Sequence, residues 1–195
     1  MNVFVLSTGR CGSTTFVEAC RHITNYTAAH ESRARIAGPD RLKYPQQHIE
    51  ADNRLSWFLG RLDREYGPNA FYVHLRRDDF KTAASLLNRY HGGIMRAYSA
   101  GILMRKDPQH DPHVRCLDDC GTVNSSIACF LKDKPLKLTM RLENAKVDFR
   151  MFWERIGAQG DLKAALGEWD VRHNPSSESI VYRAVRAVKL LRRSA

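Results

Sequence analysis

No stretch of the 195 residues approaches the roughly 20 consecutive apolar positions that a membrane-spanning helix needs. The opening Met1-Asn2-Val3-Phe4-Val5-Leu6 lacks the basic n-region of a secretory signal and is too short to be one. It predicts a strand that begins almost at once, and a cytoplasmic location. Cysteine is sparse and spread out: Cys11, Cys20, Cys116, Cys120 and Cys129 form no dense, even framework, so a disulfide-stapled domain is excluded and reduced thiols are expected. Internal repeats and low-complexity segments are absent, which sets aside solenoids and disordered arrays. Acidic residues are the scarcer charge, 21 against 31 Lys and Arg, leaving a net charge of +10.

A basic surface suits nucleic acid, an acidic membrane face or a polyanionic small molecule. Much of the excess lies near the C-terminus, where Arg183, Arg186, Lys189, Arg192 and Arg193 interleave with Val181, Val185, Val188 and Leu191. That spacing predicts an amphipathic helix capping the domain, with weak membrane-surface contact as a further role and no nucleic-acid partner. With 43% hydrophobic and 27% charged residues, the composition is that of an ordinary globular protein, and its length fits one domain over 1–195.

Along the chain, strands and helices alternate. Val3–Leu6 is a short β-rich run, followed by a glycine-containing loop and a helix over Phe16–His22. A second strand is predicted over Asn25–Ala29. Leu55, Phe58, Leu59, Leu62 and Tyr66 recur at helical spacing, with Asp52 or Asn53 as N-cap, up to the breaker Gly67-Pro68-Asn69. Ala70–Leu75 reads as a third strand, and Asp78-Asp79 opens a helix to about Tyr90. Beyond Gly92-Gly93 come another helical stretch, a polar loop at Asp107–Asp119 and a fourth strand at Pro135–Met140. The remainder reads as helical, with a loop at Val171–Ser177. This order predicts an α/β fold with a mainly parallel central sheet flanked by helices, whose ligands sit beyond the carboxyl ends of the strands.

The loop after the first strand reads Arg10-Cys11-Gly12-Ser13-Thr14-Thr15. A loop feeding a helix N-terminus aims backbone N–H groups at one point, where the helix dipole favours an anion. Gly12 permits a tight turn, three hydroxyls add donors, and Arg10 adds a cation able to grip an oxyanion twice. A triphosphatase loop would need Gly-x-x-x-x-Gly-Lys-Ser/Thr. Here the lysine is missing, the two glycines stand too close together, and no acidic strand end is evident to hold magnesium.

These residues resemble the sulfotransferase superfamily, particularly its bacterial members, whose first strand leads into a loop of the form Lys/Arg-Ser/x-Gly-Ser/Thr-Thr. The family's second signature is an arginine at a later strand end with a serine eight positions on, matched by Arg77 and Ser85. The resemblance covers the strand–helix order from Met1 to about Arg155. It implies a P-loop NTPase-like sulfotransferase fold in which Arg10, Cys11, Gly12, Ser13, Thr14 and Thr15 hold a 5′-phosphosulfate and Arg77 with Ser85 binds a 3′-phosphate. The donor so implied is 3′-phosphoadenosine-5′-phosphosulfate (PAPS), used without a metal. Alternation along a strand sends Arg76 and Arg77 to opposite faces, so one of the two should reach the ligand.

Sulfuryl transfer by in-line displacement makes two demands. Charge on the leaving phosphate must be stabilised, a task for Arg10 and the loop donors, and an acceptor hydroxyl must lose its proton. His30-Glu31 lies just past the second strand. Glu31 is favoured as the base because relatives with a similar loop tend to place a glutamate there, with His30 as the alternative. Asp52 and Asn53 either contact the acceptor or cap a helix. Arg172-His173-Asn174 either folds over the nucleotide or is a plain loop. His110, His113, Cys116 and Cys120 are all zinc-ligand types, but too compact for a closed site, and are expected to form a lid or acceptor loop instead. The acceptor is a hydroxyl of a small molecule or glycan. The competing functions are a nucleotide-kinase-like phosphotransferase and a non-catalytic nucleotide- or polyanion-binding module.

Overall fold

The computed structural model describes residues 1–104, 111–171 and 173. Five parallel strands form its sheet: β1 (Val3–Leu6), β2 (Thr27–His30), β3 (His48–Ala51), β4 (Phe71–Arg76) and β5 (Lys137–Arg141), in the spatial order β2-β3-β1-β4-β5. The chain leaves β1 for one edge of the sheet, returns through β3, and then crosses to the other side for β4 and β5. The order therefore reverses at β1, the kind of crevice where α/β folds bind ligands.

Because side chains alternate along a strand, each central strand supplies two cores. Val3, Val5, Ile49, Ala51, Val73 and Leu75 face α1 (Ser13–Cys20), α6 (Ala145–Arg155) and α7 (Leu162–Gly167), where Phe16, Phe149 and Phe152 are fully buried. Phe4, Leu6 and Tyr72 face the other way, onto Leu62 of α2 (Leu59–Tyr66) and Val123, Ile127 and Leu131 of α5 (Pro112–Leu131). The helix α3 (Asp79–Leu87) and the short α4 (Gly93–Ala97) share a smaller apolar cluster with α5 through Ala83, Leu86, Met95, Cys116 and Cys120.

Several expectations need correction. β3 was not anticipated: His48-Ile49-Glu50-Ala51 carries a single β-branched residue, and its strand state comes from pairing with β1 on one side and β2 on the other. The helix expected from Asp52–Asn53 to Tyr66 is two pieces, a 3₁₀ turn over Asn53–Trp57 and then α2. The expected polar loop at Asp107–Asp119 is helix from Pro112 onward, its earlier part lying mostly outside the described residues. Asp111 caps α5 by accepting the His113 N–H at 2.8 Å, and Pro112 occupies the first turn, where its missing N–H costs nothing. Gly121, Asn124, Ser125 and Ser126 are poor helix formers, so packing against β4 and α3 decides that helix.

His113, Cys116 and Cys120 accordingly lie on α5, not in a lid, and His110 falls outside the described residues. Cys116 and Cys120 are buried, and burial pushes both thiols up, Cys116 to about 12, so they are core residues. All five cysteines are unpaired. No helix among the described residues is long and apolar enough to cross a membrane. The basic C-terminal helix expected beyond Ser177 lies outside the described residues.

Candidate functional site

All five strands end on one cleft of about 930 Å³. Thr8, Gly9 and Arg10 follow β1, Glu31 follows β2, Asn53 and Arg54 follow β3, Arg77 follows β4, and Leu142 follows β5.

The β1–α1 loop forms the floor. Gly9, Arg10 and Gly12 all have left-handed backbones, at φ 84°, 58° and 93°. Glycine is favoured at 9 on two counts: its φ is one that L-residues rarely adopt, and a Cβ there would press to 3.0 Å on the Asn53 side-chain amide. Gly12 is the N-cap of α1 and supplies no side-chain cap, and the first helical hydrogen bond runs from Phe16 N–H to the Gly12 carbonyl. The N–H groups of Ser13, Thr14 and Thr15 therefore have no acceptor within the helix, and these three residues line the cleft. Such an arrangement can cradle an anion. Cys11 contributes differently from its neighbours. Its side chain is buried, its thiol lies 3.2 Å from the Thr8 hydroxyl, and burial raises its pKa. It faces the core, so what it has to offer an anion is its main chain.

The two sequence signatures meet here. Arg10 Nε donates to the Ser85 hydroxyl at 3.1 Å, and Arg77 Nη1 donates to the Arg10 carbonyl at 3.3 Å. Arg77 and Ser85 both line the cleft. Arg76 instead turns to Asp79, at 3.6 Å. Asp78 caps α3, and its N–H is held by Glu143 at 2.9 Å, which fixes the end of β4 beside that of β5.

At the opposite end of the cleft are His30 and Glu31. β2 runs one residue further than anticipated, so His30 is its last residue, and its Nε2 shares a hydrogen bond with the Ser13 hydroxyl at 2.9 Å. Glu31 has a left-handed backbone at φ 52°, and its carboxylate pairs with Arg54 Nη1 at 2.6 Å. Asp52 is not available to a ligand: it is fully buried, accepts the Arg54 N–H at 2.8 Å and pairs with the buried Arg41. Burial raises its pKa, although Arg41 and the Arg54 N–H oppose that shift. An acid thus does follow directly on a strand, contrary to expectation, and its carboxylate is engaged by Arg41. Asn53 lines the cleft.

Along another side run Trp169, Asp170, Val171 and His173. Trp169 packs edge-on against Phe16 with ring centres 6.3 Å apart. Glu168 bridges His22 at 2.9 Å and His173 at 2.8 Å. Of the late polar loop, His173 reaches the cleft, while Arg172 and Asn174 lie outside the described residues. Among the described residues, no cluster of His, Cys, Asp and Glu is placed to hold a metal ion. Arg54, Arg89 and Trp169 are cleft residues that sequence reasoning missed. A recognised β3 would have pointed to Arg54, and the other two depend on how α3 and the last described segment pack.

No protein-family model and no curated protein sequence matches the chain. Among solved structures it is similar to a sulfotransferase domain from the curacin biosynthetic pathway, with a TM-score of 0.58 and 11% identity over 95% of this chain and 96% of that one. It is also similar to mouse sulfotransferase SULT7A1 complexed with PAP, with a TM-score of 0.50 and 14% identity over 94% of this chain. The match spans 64% of the mouse chain, just under two thirds of its length. At these identities the likeness is one of architecture: the chain has a sulfotransferase-type fold, an all-parallel five-stranded sheet with flanking helices.

Proposed function

We propose that the chain is a sulfotransferase that moves a sulfuryl group from PAPS to the hydroxyl of a small-molecule or glycan acceptor. One observation carries this reading. The loop cradle and the strand-end arginine, separated by more than sixty positions, meet through Arg10–Ser85 and Arg77–Arg10 contacts of 3.1 and 3.3 Å. A donor with phosphates on both sides of one ribose needs two such anion sites side by side. The residues fit it: the cradle of Gly12, Ser13, Thr14 and Thr15 for the 5′ side, and Arg77 with Ser85 for the 3′-phosphate. Trp169, His173 and their neighbours wall the remaining side.

In the reaction the acceptor oxygen forms a bond to sulfur while the bond from sulfur to the 5′-phosphate oxygen breaks. The hydroxyl proton passes to Glu31, and the negative charge arriving on the leaving phosphate is met by Arg10 and the loop N–H groups. Both candidate bases already have a partner, His30 the Ser13 hydroxyl and Glu31 the Arg54 guanidinium. Glu31 is kept as the base on the family resemblance, with His30 as the alternative. A nucleotide-kinase reading suffers from the missing loop lysine and from an Asp52 already paired with Arg41. A silent binding module would not need a base beside the sulfate site.

The test is calorimetry with 3′-phosphoadenosine-5′-phosphate (PAP) and AMP, without added metal. PAP is expected to bind much more tightly. Arg77→Ala should remove most of that preference by deleting a charge-assisted contact of about 1.5–3 kcal/mol, a loss of roughly tenfold or more in affinity. Equal affinity for PAP and AMP, or an absolute need for magnesium, would remove the basis for the donor.

A further inference from the structure

Glu50 is fully buried in the sheet, and its partners on both sides are apolar. It stands opposite Phe4 of β1 and Ala29 of β2, and Phe4 in turn stands opposite Tyr72 of β4. An apolar residue there would extend the packed face, whereas a buried carboxylate is costly unless its lone pairs are filled. They are filled. Oε1 accepts the Ser32 N–H at 2.7 Å, and Oε2 accepts the Ser32 O–H at 2.6 Å and lies 3.0 Å from His48 Nε2. His48 Nδ1 in turn meets the Thr27 hydroxyl at 2.8 Å. A core carboxylate thus reaches outward to hold both donors of an exposed residue.

Ser32 directly follows Glu31, whose left-handed backbone persists only where its surroundings over-determine it. The restraints converge from three sides. The Glu31 N–H donates to the Ala51 carbonyl at 3.0 Å, Glu50 grips Ser32, and Arg54, itself held through Asp52, meets the Glu31 carboxylate at 2.6 Å. A connected polar network of this kind rigidifies what it touches.

We propose that Glu50 is a positioning residue for the reaction: by clamping Ser32 it holds Glu31 in the turn that presents its carboxylate to the acceptor. This rests on the reading of Glu31 as the base. In E50Q one oxygen still accepts the Ser32 N–H, but the charge is lost and the amide N–H₂ can only donate, so the Ser32 hydroxyl and His48 Nε2 must turn from donor to acceptor. A base displaced by about 1 Å loses up to about 10²-fold in rate, and a drop of about tenfold is expected.

The experiment follows release of labelled sulfate from PAPS, with water as the acceptor, in the full chain and in E31Q, E50Q, E31Q/E50Q and S32A. PAP affinity and hydrogen exchange of the Ser32 amide are measured on the same proteins. E31Q should slow release by about 10²-fold, as for a lost general base. E50Q and S32A should each slow it about tenfold with PAP affinity unchanged, and the Ser32 amide should exchange faster in E50Q. In the E31Q background E50Q should cost almost nothing further, because there is no base left to position. The same loss in both backgrounds would make Glu50 a general structural residue and overturn the proposal, as would normal rates in E50Q and S32A beside a slow E31Q. E31Q at the wild-type rate is a different result: it removes Glu31 as the base, and the role of Glu50 with it. Should E50Q fail to fold, S32A at its exposed position carries the same comparison.

Discussion

Asp119 shows how much one side chain on α5 can weigh. It is fully buried, and among the described residues neither carboxyl oxygen has a hydrogen-bond partner. Burial, with the Asp118 charge beside it, pushes its pKa up to about 7. The folded protein therefore keeps a proton that the unfolded chain gives up near pH 4. The stability this provides is complete below pH 4 and is lost as pH rises toward 7, a swing of up to about 4 kcal/mol. Asp119→Asn keeps the shape and never ionises. It should gain on the wild type steadily from pH 5 to pH 7 and hold a constant margin above, as followed by urea midpoints. A margin that does not change with pH would mean that Asp119 finds a partner. The contrast with Glu50 and Asp52 is one of satisfaction, since those buried acids sit among donors.

Among the elements, α5 and the β1–α1 loop were legible to different degrees. Asp111-Pro112 is a helix-start signal in the sequence, yet the aspartate- and cysteine-rich run after it disguises a 20-residue helix. Because the cap satisfies an N–H that would otherwise lack a partner, Asp111→Ala should cost about 1 kcal/mol. That corresponds to a melting point lower by roughly 2–4 °C for a chain of this size, as read by circular dichroism. An unchanged melting point would mean that packing of α5 on α3 makes its first turn redundant. The β1–α1 loop was easier to read, since a β-rich run, glycines and hydroxyls ahead of a helix imply an anion cradle whatever surrounds them. What could not be read there was the inward turn of Cys11, which follows from the left-handed residues on either side of it.

For the molecule as a whole, the basic cleft couples ligand binding to stability. A ligand that binds only the folded state raises stability by about 2.7 kcal/mol at a hundred times its dissociation constant. PAP at saturating concentration should therefore raise the melting temperature by several degrees, and ATP with magnesium should do much less. Equal protection by both would favour a phosphotransferase. On the proposed reading Arg10 and Arg77 attract the ligand through charge, so protection at a fixed, sub-saturating PAP concentration should shrink as salt is raised.

Local chemistry settled the parts of this protein that depend on near neighbours in the chain: the alternation of strands and helices, the loop at residues 10–15, and the separation of Arg76 from Arg77 by the two-residue period of a strand, with the eight-residue spacing to Ser85 favouring Arg77. Those signals survive in sequence because each is enforced within a few residues. β3 depended on hydrogen bonds from strands more than twenty positions before it, and the burial of Glu50 and Asp52 depended on Ser32 and Arg41 arriving beside them. Only the folded sheet brings five strand ends to one cleft and sets Arg10 against Ser85. A charged residue in sequence reads as surface, and it takes the tertiary partners that offset its desolvation to make it part of the interior.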